Sequence, residues 1–232
     1  MISNMPENGL ILAVDGPSGT GKSTTCRALA KHLDAKYIDT GAMYRVATLA
    51  VLRQGIDPHD TQAVIAATVD LPLEVSNDPD STEVLFNGED VSKEIREDEV
   101  TRNVSAVSAI AEVRTNLVNL QRKLAQSSHR AIVEGRDIGT VVLVDAPAKA
   151  YMTASAEVRA QRRYDQNIAA GIAADFDTVL ADVVRRDEAD SSRATSPLRP
   201  ADDAVVVDTS TMSPQEVLNA LITIVKESAD ER

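Results

Sequence analysis

The chain has 232 residues, 43% of them hydrophobic, no tryptophan and a formal net charge of −12. That length suits one moderately large domain, or one core carrying inserted pieces, better than two independent folds. The acidic balance excludes general nucleic-acid binding, because a phosphate backbone would be repelled; any polyphosphate ligand needs a local cluster of cations. Cys26 is the only cysteine and has no partner for an internal disulfide, which suits a reducing compartment. Met1 to Gly9 carry no lysine or arginine and no apolar run of signal-peptide length. No stretch reaches the ~18 apolar residues that a spanning helix needs. A cytoplasmic protein, partnered by neither a membrane nor a nucleic-acid polymer, is expected.

In chain order, Leu10 to Val14 reads as a buried strand that meets a glycine-rich turn after Asp15. The pattern predicts a helix over Ser23 to Leu33, a short strand over Tyr37 to Asp39, and a helix from Ala42 to Gln54 stopped by Gly55. Between Leu71 and Ile95 the pattern changes: Leu71, Leu73 and Val75 alternate, as do Val84 and Phe86, and Asn87-Gly88 is a hairpin-type turn. This predicts a small antiparallel β insertion, about residues 68–100, in a chain that otherwise alternates strand and helix. Glu97 to Gln126 reads as helix with a break near Ala111. Ala131 to Val133, Ala148 to Ala154 and Ala204 to Asp208 read as further strands. Arginine-rich helices are expected from Ala156 to Ala170 and from Phe176 to Ala189, and Ser213-Pro214-Gln215-Glu216 opens a last helix with a capping box. Short apolar strands separated by helices predict an α/β fold whose parallel sheet is covered on both faces. Fraying is expected only at the two ends.

Gly16-Pro17-Ser18-Gly19-Thr20-Gly21-Lys22-Ser23 matches the P-loop pattern at every position. Its glycines permit tight backbone angles, so successive N–H groups can point at phosphate oxygens, and the following helix adds its positive end. Lys22 can reach the β- and γ-phosphates, and the Ser23 hydroxyl can ligand Mg²⁺. Gly16 through Thr24 are therefore candidates for binding ATP. A nucleotide-driven switch or motor is the competing class. A guanine switch would carry Asp-x-x-Gly and Asn-Lys-x-Asp, and the sequence contains neither. A motor would need a long apolar strand ending in a metal-holding carboxylate, of which Ile132-Val133-Glu134 is a poor version. Phosphoryl transfer to a small acceptor is the leading reading.

An acceptor needs its own pocket. In Asp39-Thr40-Gly41-Ala42-Met43-Tyr44-Arg45, a hydroxyl, a helix start and an arginine one turn later suit a phosphate, although an ordinary capped helix would look the same. Gly135-Arg136-Asp137 follows a sheet strand and is expected at the same C-terminal edge as the P-loop. Arg186 and Asp190 lie one helical turn apart, with Arg193 just beyond; alone, the first two would read as a surface ion pair. His32, His59 and His129 show no ligand spacing.

Taken together the chain resembles the bacterial cytidylate kinase family from about Leu10 to the final helix. The resemblance rests on residues 15–19, 39–45, 88–92, on Glu134-Gly135-Arg136-Asp137-Ile138-Gly139-Thr140-Val141-Val142, and on Arg186-Asp187 through Asp190 to Arg193-Ala194. It implies a three-layer P-loop kinase sandwich over residues 1–232 with a helical lid at about 156–175, acting as a monomer on ATP·Mg²⁺ and CMP or dCMP. It further implies that Thr40, Arg45, Arg136 and Arg193 contact the acceptor phosphate, Arg186 and Asp190 hold the ribose, and Ser105, Arg114 and Asp137 read cytosine. Lys22, Arg136 and Arg193 would carry catalysis, and lid residues Arg159, Arg162 and Arg163 could close over ATP, although one helix cannot point all three the same way. Thr40 stands where many relatives have serine and keeps the hydroxyl. The chemistry is consistent: the cytosine amino group donates, suiting Ser105 or Asp137, while N3 and O2 accept, suiting Arg114. Uracil presents a carbonyl in place of that amino group, so an acceptor there discriminates against it. A monophosphate kinase of other base preference, a small-molecule kinase like shikimate kinase and a regulatory NTPase remain alternatives.

Overall fold

The computed structural model describes residues 9–230, so the expected fraying of the extreme ends concerns residues outside those described. The elements run β1 (Leu10–Asp15), α1 (Lys22–Leu33), β2 (Lys36–Asp39), α2 (Thr40–Arg53), α3 (Thr61–Thr68), β3 (Leu73–Val75), β4 (Val84–Phe86) and β5 (Glu89–Asp90). They continue with α4 (Asp98–Ser108), α5 (Ala111–Gln126), β6 (Arg130–Glu134), β7 (Ala148–Thr153), α6 (Ala156–Ala169), α7 (Phe176–Ser191), β8 (Val205–Asp208) and α8 (Pro214–Asp230). Five strands form one parallel sheet in the order β2-β6-β1-β7-β8, and β3-β4-β5 form a separate antiparallel sheet.

Strand alternation explains the layers. Leu10, Leu12 and Val14 of β1 enter a core with Cys26 and Leu29 of α1 and Val217 and Leu221 of α8. Ala13, Ile38, Ala131 and Val133 point the other way, onto Met43 and Ala47 of α2 and Val113 and Leu117 of α5. Because both faces of the central strands are covered, β1 and the interior of β6 are apolar up to their C-terminal acids, whereas β7 carries Lys149 and the edge strand β8 leaves Val205 and Val206 exposed. The small sheet packs Val84 and Phe86, with Val91 and Ile95, onto Val46, Leu49 and Ala50 of α2. Its β4–β5 hairpin turns through Asn87 and Gly88, both at positive φ (52° and 77°), as the sequence signal requires. The capping box of α8 forms reciprocally: the Glu216 N–H donates to Ser213 Oγ at 3.3 Å, and Glu216 Oε2 accepts from the Ser213 N–H at 2.7 Å.

Two elements depart from the sequence reading. Helix α3 was not anticipated, because it buries only Val64 and Thr68 and so shows little apolar periodicity; its start is nonetheless marked by Asp60, which accepts from the Ala63 N–H at 3.1 Å. After β6, the segment Ile138–Val142, to which the sequence assigns no element, winds into a wide π-helical turn. Among the described residues no helix is long and apolar enough to cross a membrane.

Parallel register aligns the strand ends. Asp39 pairs with Glu134, Val14 with Glu134, Asp15 with Tyr151, and Thr153 with Asp208. All five C-termini therefore open onto one edge, where a ligand site is expected in such sheets.

Candidate active site

The turn between β1 and α1 is shaped by close approach. A side chain on Gly16 would put Cβ 1.9 Å from the Met152 carbonyl oxygen, and Gly19 and Gly21 hold φ of 81° and 89°. Buried Lys22 curls back, its ammonium donating to the Gly16 and Pro17 carbonyls at 2.7 Å each. Burial, aided by Arg136, pushes its pKa down to about 7. An anion placed at this turn would favour the charged form.

Behind the turn, Asp15 links two loops. Its carboxylate accepts from the N–H groups of Ile138 (2.7 Å) and Gly139 (2.8 Å), which fixes the π-turn beside the phosphate-binding loop. Burial raises Asp15 to about 6, against the pull of those backbone donors. Glu134 closes the other side, where its Oε1 accepts from Ser23 Oγ at 2.6 Å and from the Tyr37 hydroxyl at 2.7 Å. Burial, reinforced by Asp39, raises the Glu134 carboxyl above its ordinary value. Sequence reasoning passed over both acids. Glu134 was discounted as a poor carboxylate-ending strand, although its place at the end of β6 was the available signal.

One cleft of about 460 Å³ runs from this turn across the sheet edge. Ser18, Gly19, Gly21, Lys22, Ser23 and Thr24 line one end; Gly16, Pro17 and Thr20 lie behind them as the frame of the loop. Thr40, Arg45, Ser105, Arg114, Arg136, Asp137, Arg186, Asp190 and Arg193 line the rest, so the structure brings every acceptor-side candidate into the same space.

Arg136 bridges the two ends, donating from Nη1 to the Gly16 carbonyl (2.9 Å) and from Nε to Asp190 (3.1 Å). Asp190 also receives Arg193 and the Ser105 hydroxyl, the latter at 3.3 Å. Burial would raise the Asp190 pKa, but Arg136, Arg193 and Arg186 outweigh it and hold the carboxyl below the ordinary value. The arginines are under the opposite stress. Burial and then the charges of Arg136 and Arg45 lower Arg186 to about 9, while burial lowers Arg45 to about 10, with Arg96, Arg136 and Arg163 adding repulsion. The buried Nε atoms of Arg186 and Arg193 have no partner among the described residues. One aspartate cannot neutralise these four arginines, and a dianionic phosphate would offset two more of their charges.

Thr40, the first residue of α2, donates its hydroxyl to the Glu134 carbonyl at 2.7 Å, and Arg45 donates to the Ile95 carbonyl (3.0 Å) and Thr101 Oγ1 (2.9 Å). Deeper in, Arg114 pairs with Asp137, each about 3% exposed; Arg114 also donates to the Ser108 carbonyl (3.1 Å) and stacks 5.1 Å over the Tyr44 ring. The three arginines of α6, expected to close over ATP, part company, as helix geometry demands. Arg159 is buried, pairing with Asp187 of α7 and donating to the Ser18 carbonyl at 3.3 Å. Arg162 donates to Thr209 at 2.6 and 3.1 Å, and Arg163 alone of the three lines the cleft.

The residues fit Mg²⁺. Ser23 offers a hydroxyl, and Glu134 Oε2 is buried and unpartnered among the described residues. Those residues gather no cluster of three or more His, Cys, Asp or Glu, so the ion would depend on phosphate oxygens, as Mg²⁺ commonly does.

A parallel sheet with a P-loop at its first strand and a cationic cleft across its edge defines the P-loop kinase class. The fold is shared with a gluconokinase from Sinorhizobium meliloti, 14% identical with a TM-score of 0.51, covering 97% of both chains. At the level of sequence, the chain belongs to the cytidylate kinase family, whose pattern matches residues 12–227. Cytidylate kinases of Corynebacterium efficiens and Corynebacterium glutamicum are each 71% identical to it over 226 residues, 97% of this chain and 98% of theirs. The cytidylate kinase of Rhodococcus opacus is 58% identical over 96% of this chain and 97% of its own.

Proposed function

We propose that this chain transfers the γ-phosphoryl group of ATP to the phosphate of CMP or dCMP, yielding ADP and CDP or dCDP. The observation that carries the proposal is the cleft itself. It joins a phosphate-binding turn at one end to a group of under-neutralised arginines at the other, with a buried Arg114–Asp137 pair beyond them. An acceptor phosphate oxygen attacks the γ-phosphorus in line while the bond to the ADP oxygen breaks. That oxygen already carries charge, so no general base is needed, and catalysis consists of positioning and neutralisation.

Lys22, Arg136 and Arg193 act on the transferred group, and Thr40, Arg45, Arg136 and Arg193 hold the acceptor phosphate. Arg186 and Asp190 hold the ribose, and Ser105, Arg114 and Asp137 read the base. Ser23 and Glu134 would hold Mg²⁺, which supplies charge neutralisation at the phosphates when bound. Arg163 reaches ATP when the α6–α7 pair closes, and Arg159 supports the loop from behind. In this reading the protein is a cytoplasmic monomer whose partners are small nucleotides.

Label transfer tests it: ATP labelled at the γ-phosphate with unlabelled CMP is expected to give labelled CDP. Labelled inorganic phosphate as the main product would favour the NTPase alternative. The phosphate arginines give a second check. Arg136→Ala and Arg193→Ala are each expected to lower kcat/KM by roughly 10- to 150-fold, the worth of one charged hydrogen bond. The loss should be similar for CMP and UMP, since both substrates share the phosphate; a variant that lost CMP turnover and kept UMP turnover would remove that residue from the phosphate site.

A further inference from the structure

Tyr37 is only 1% exposed and sits in β2 on the side of the sheet covered by α1 and α8. A phenylalanine would fill the same space, so its hydroxyl needs its own account: a buried hydroxyl costs free energy unless it is paired. Its partner is Glu134 Oε1, at 2.7 Å, the same oxygen that takes the Ser23 proton at 2.6 Å. With both donors on Oε1, Oε2 is left without a partner among the described residues, in a side chain that lines the cleft.

The ring is held as firmly as the hydroxyl. Arg27, one turn beyond Ser23 on α1, lays its guanidinium 4.2 Å over the Tyr37 ring. The same guanidinium donates to the carbonyls of Pro79 (3.2 Å) and Ser81 (2.5 Å), in the loop between β3 and β4. The Tyr37 N–H donates to the Asn77 carbonyl of that loop at 2.9 Å. A chain of contacts thus runs from the acceptor-side insertion through Arg27 and Tyr37 to Glu134 and Ser23.

We infer that Tyr37 is a positioning residue for the Mg²⁺–nucleotide site, acting through Glu134. By fixing the carboxylate, it keeps the Ser23 proton directed at Oε1, so that the lone pairs of the serine oxygen and the free Oε2 are turned toward the phosphate end of the cleft. The inference rests on the reading of Ser23 and Glu134 as the residues that hold Mg²⁺.

The test is calorimetric titration of the full chain with ATP, in excess Mg²⁺ and again in excess EDTA, without acceptor. Wild type is expected to bind ATP more tightly with Mg²⁺. In Tyr37→Phe the affinity in Mg²⁺ should fall roughly tenfold, the usual scale for removing a group that orients a metal-holding residue. Affinity in EDTA and KM for CMP should both stay at wild-type values, the second showing that the cleft is intact. Equal weakening in Mg²⁺ and EDTA would make the hydroxyl merely structural, and wild-type behaviour in both would make it idle; either overturns the inference. A wild type with no Mg²⁺ gain would overturn the Ser23–Glu134 assignment itself, and this inference with it.

Discussion

Lys22→Met is expected to lower kcat for CMP by roughly 100- to 1,000-fold, the scale seen when a preorganised electrostatic contact to the reacting group is removed. The fold should survive. Methionine keeps the length and apolar body of the lysine stem, and both carbonyls that lose the ammonium retain another donor. Gly16 O keeps Arg136 at 2.9 Å and Pro17 O keeps Thr20 Oγ1 at 3.3 Å. Burying a lysine is itself costly, so thermal stability should hold or rise. Near-normal turnover in a correctly folded variant would sink the P-loop assignment.

The second large effect concerns the base. Loss of Arg114 or Asp137 is expected to lower kcat/KM for CMP by roughly 10- to 150-fold, one charged hydrogen bond's worth, and loss of the neutral Ser105 hydroxyl by roughly 2- to 10-fold. UMP should suffer less, because its carbonyl cannot donate to the carboxylate. The structure separates the three variants in stability. Arg114 and Asp137 are a buried pair, and removing one partner strands the other's charge, at a cost of about 3 to 5 kcal/mol. Arg114→Ala and Asp137→Ala should therefore melt well below wild type, whereas Ser105→Ala gives up only a 3.3 Å hydroxyl contact to Asp190 and should not. Ser105→Ala is consequently the clean probe of base choice. If all three leave the ratio of kcat/KM for CMP to UMP unchanged, base reading lies elsewhere.

The parts of this site that could be read along the chain are those whose chemistry is contiguous. The phosphate-binding turn needs neighbouring glycines followed by lysine and serine, and the strand-edge segments at Asp39 and Gly135 follow apolar runs, so each announces itself locally. The Asn87-Gly88 hairpin and the Ser213–Glu216 cap are legible for the same reason. Arg114 and Ser105 are not. They are ordinary residues on two helices, and only the meeting of α4, α5 and the turn after β6 turns them into a pocket; family resemblance, rather than spacing, singled them out. The link between Tyr37 and Glu134 is not legible either, because it spans 97 positions in the chain and depends on the parallel register of β2 and β6. The split among the lid arginines is likewise tertiary: Arg159 is drawn inward by Asp187 from the neighbouring helix, and Arg162 by Thr209.

Acceptor choice is the most direct test, measured as ADP release with purified chain, ATP and Mg²⁺ in five parallel reactions: CMP, dCMP, UMP, AMP and no acceptor. The prediction is rapid turnover with CMP and dCMP, weaker turnover with UMP, little with AMP, and only a slow leak without acceptor. ADP release at the same rate with and without CMP, or a preference for AMP or UMP over CMP, would contradict it.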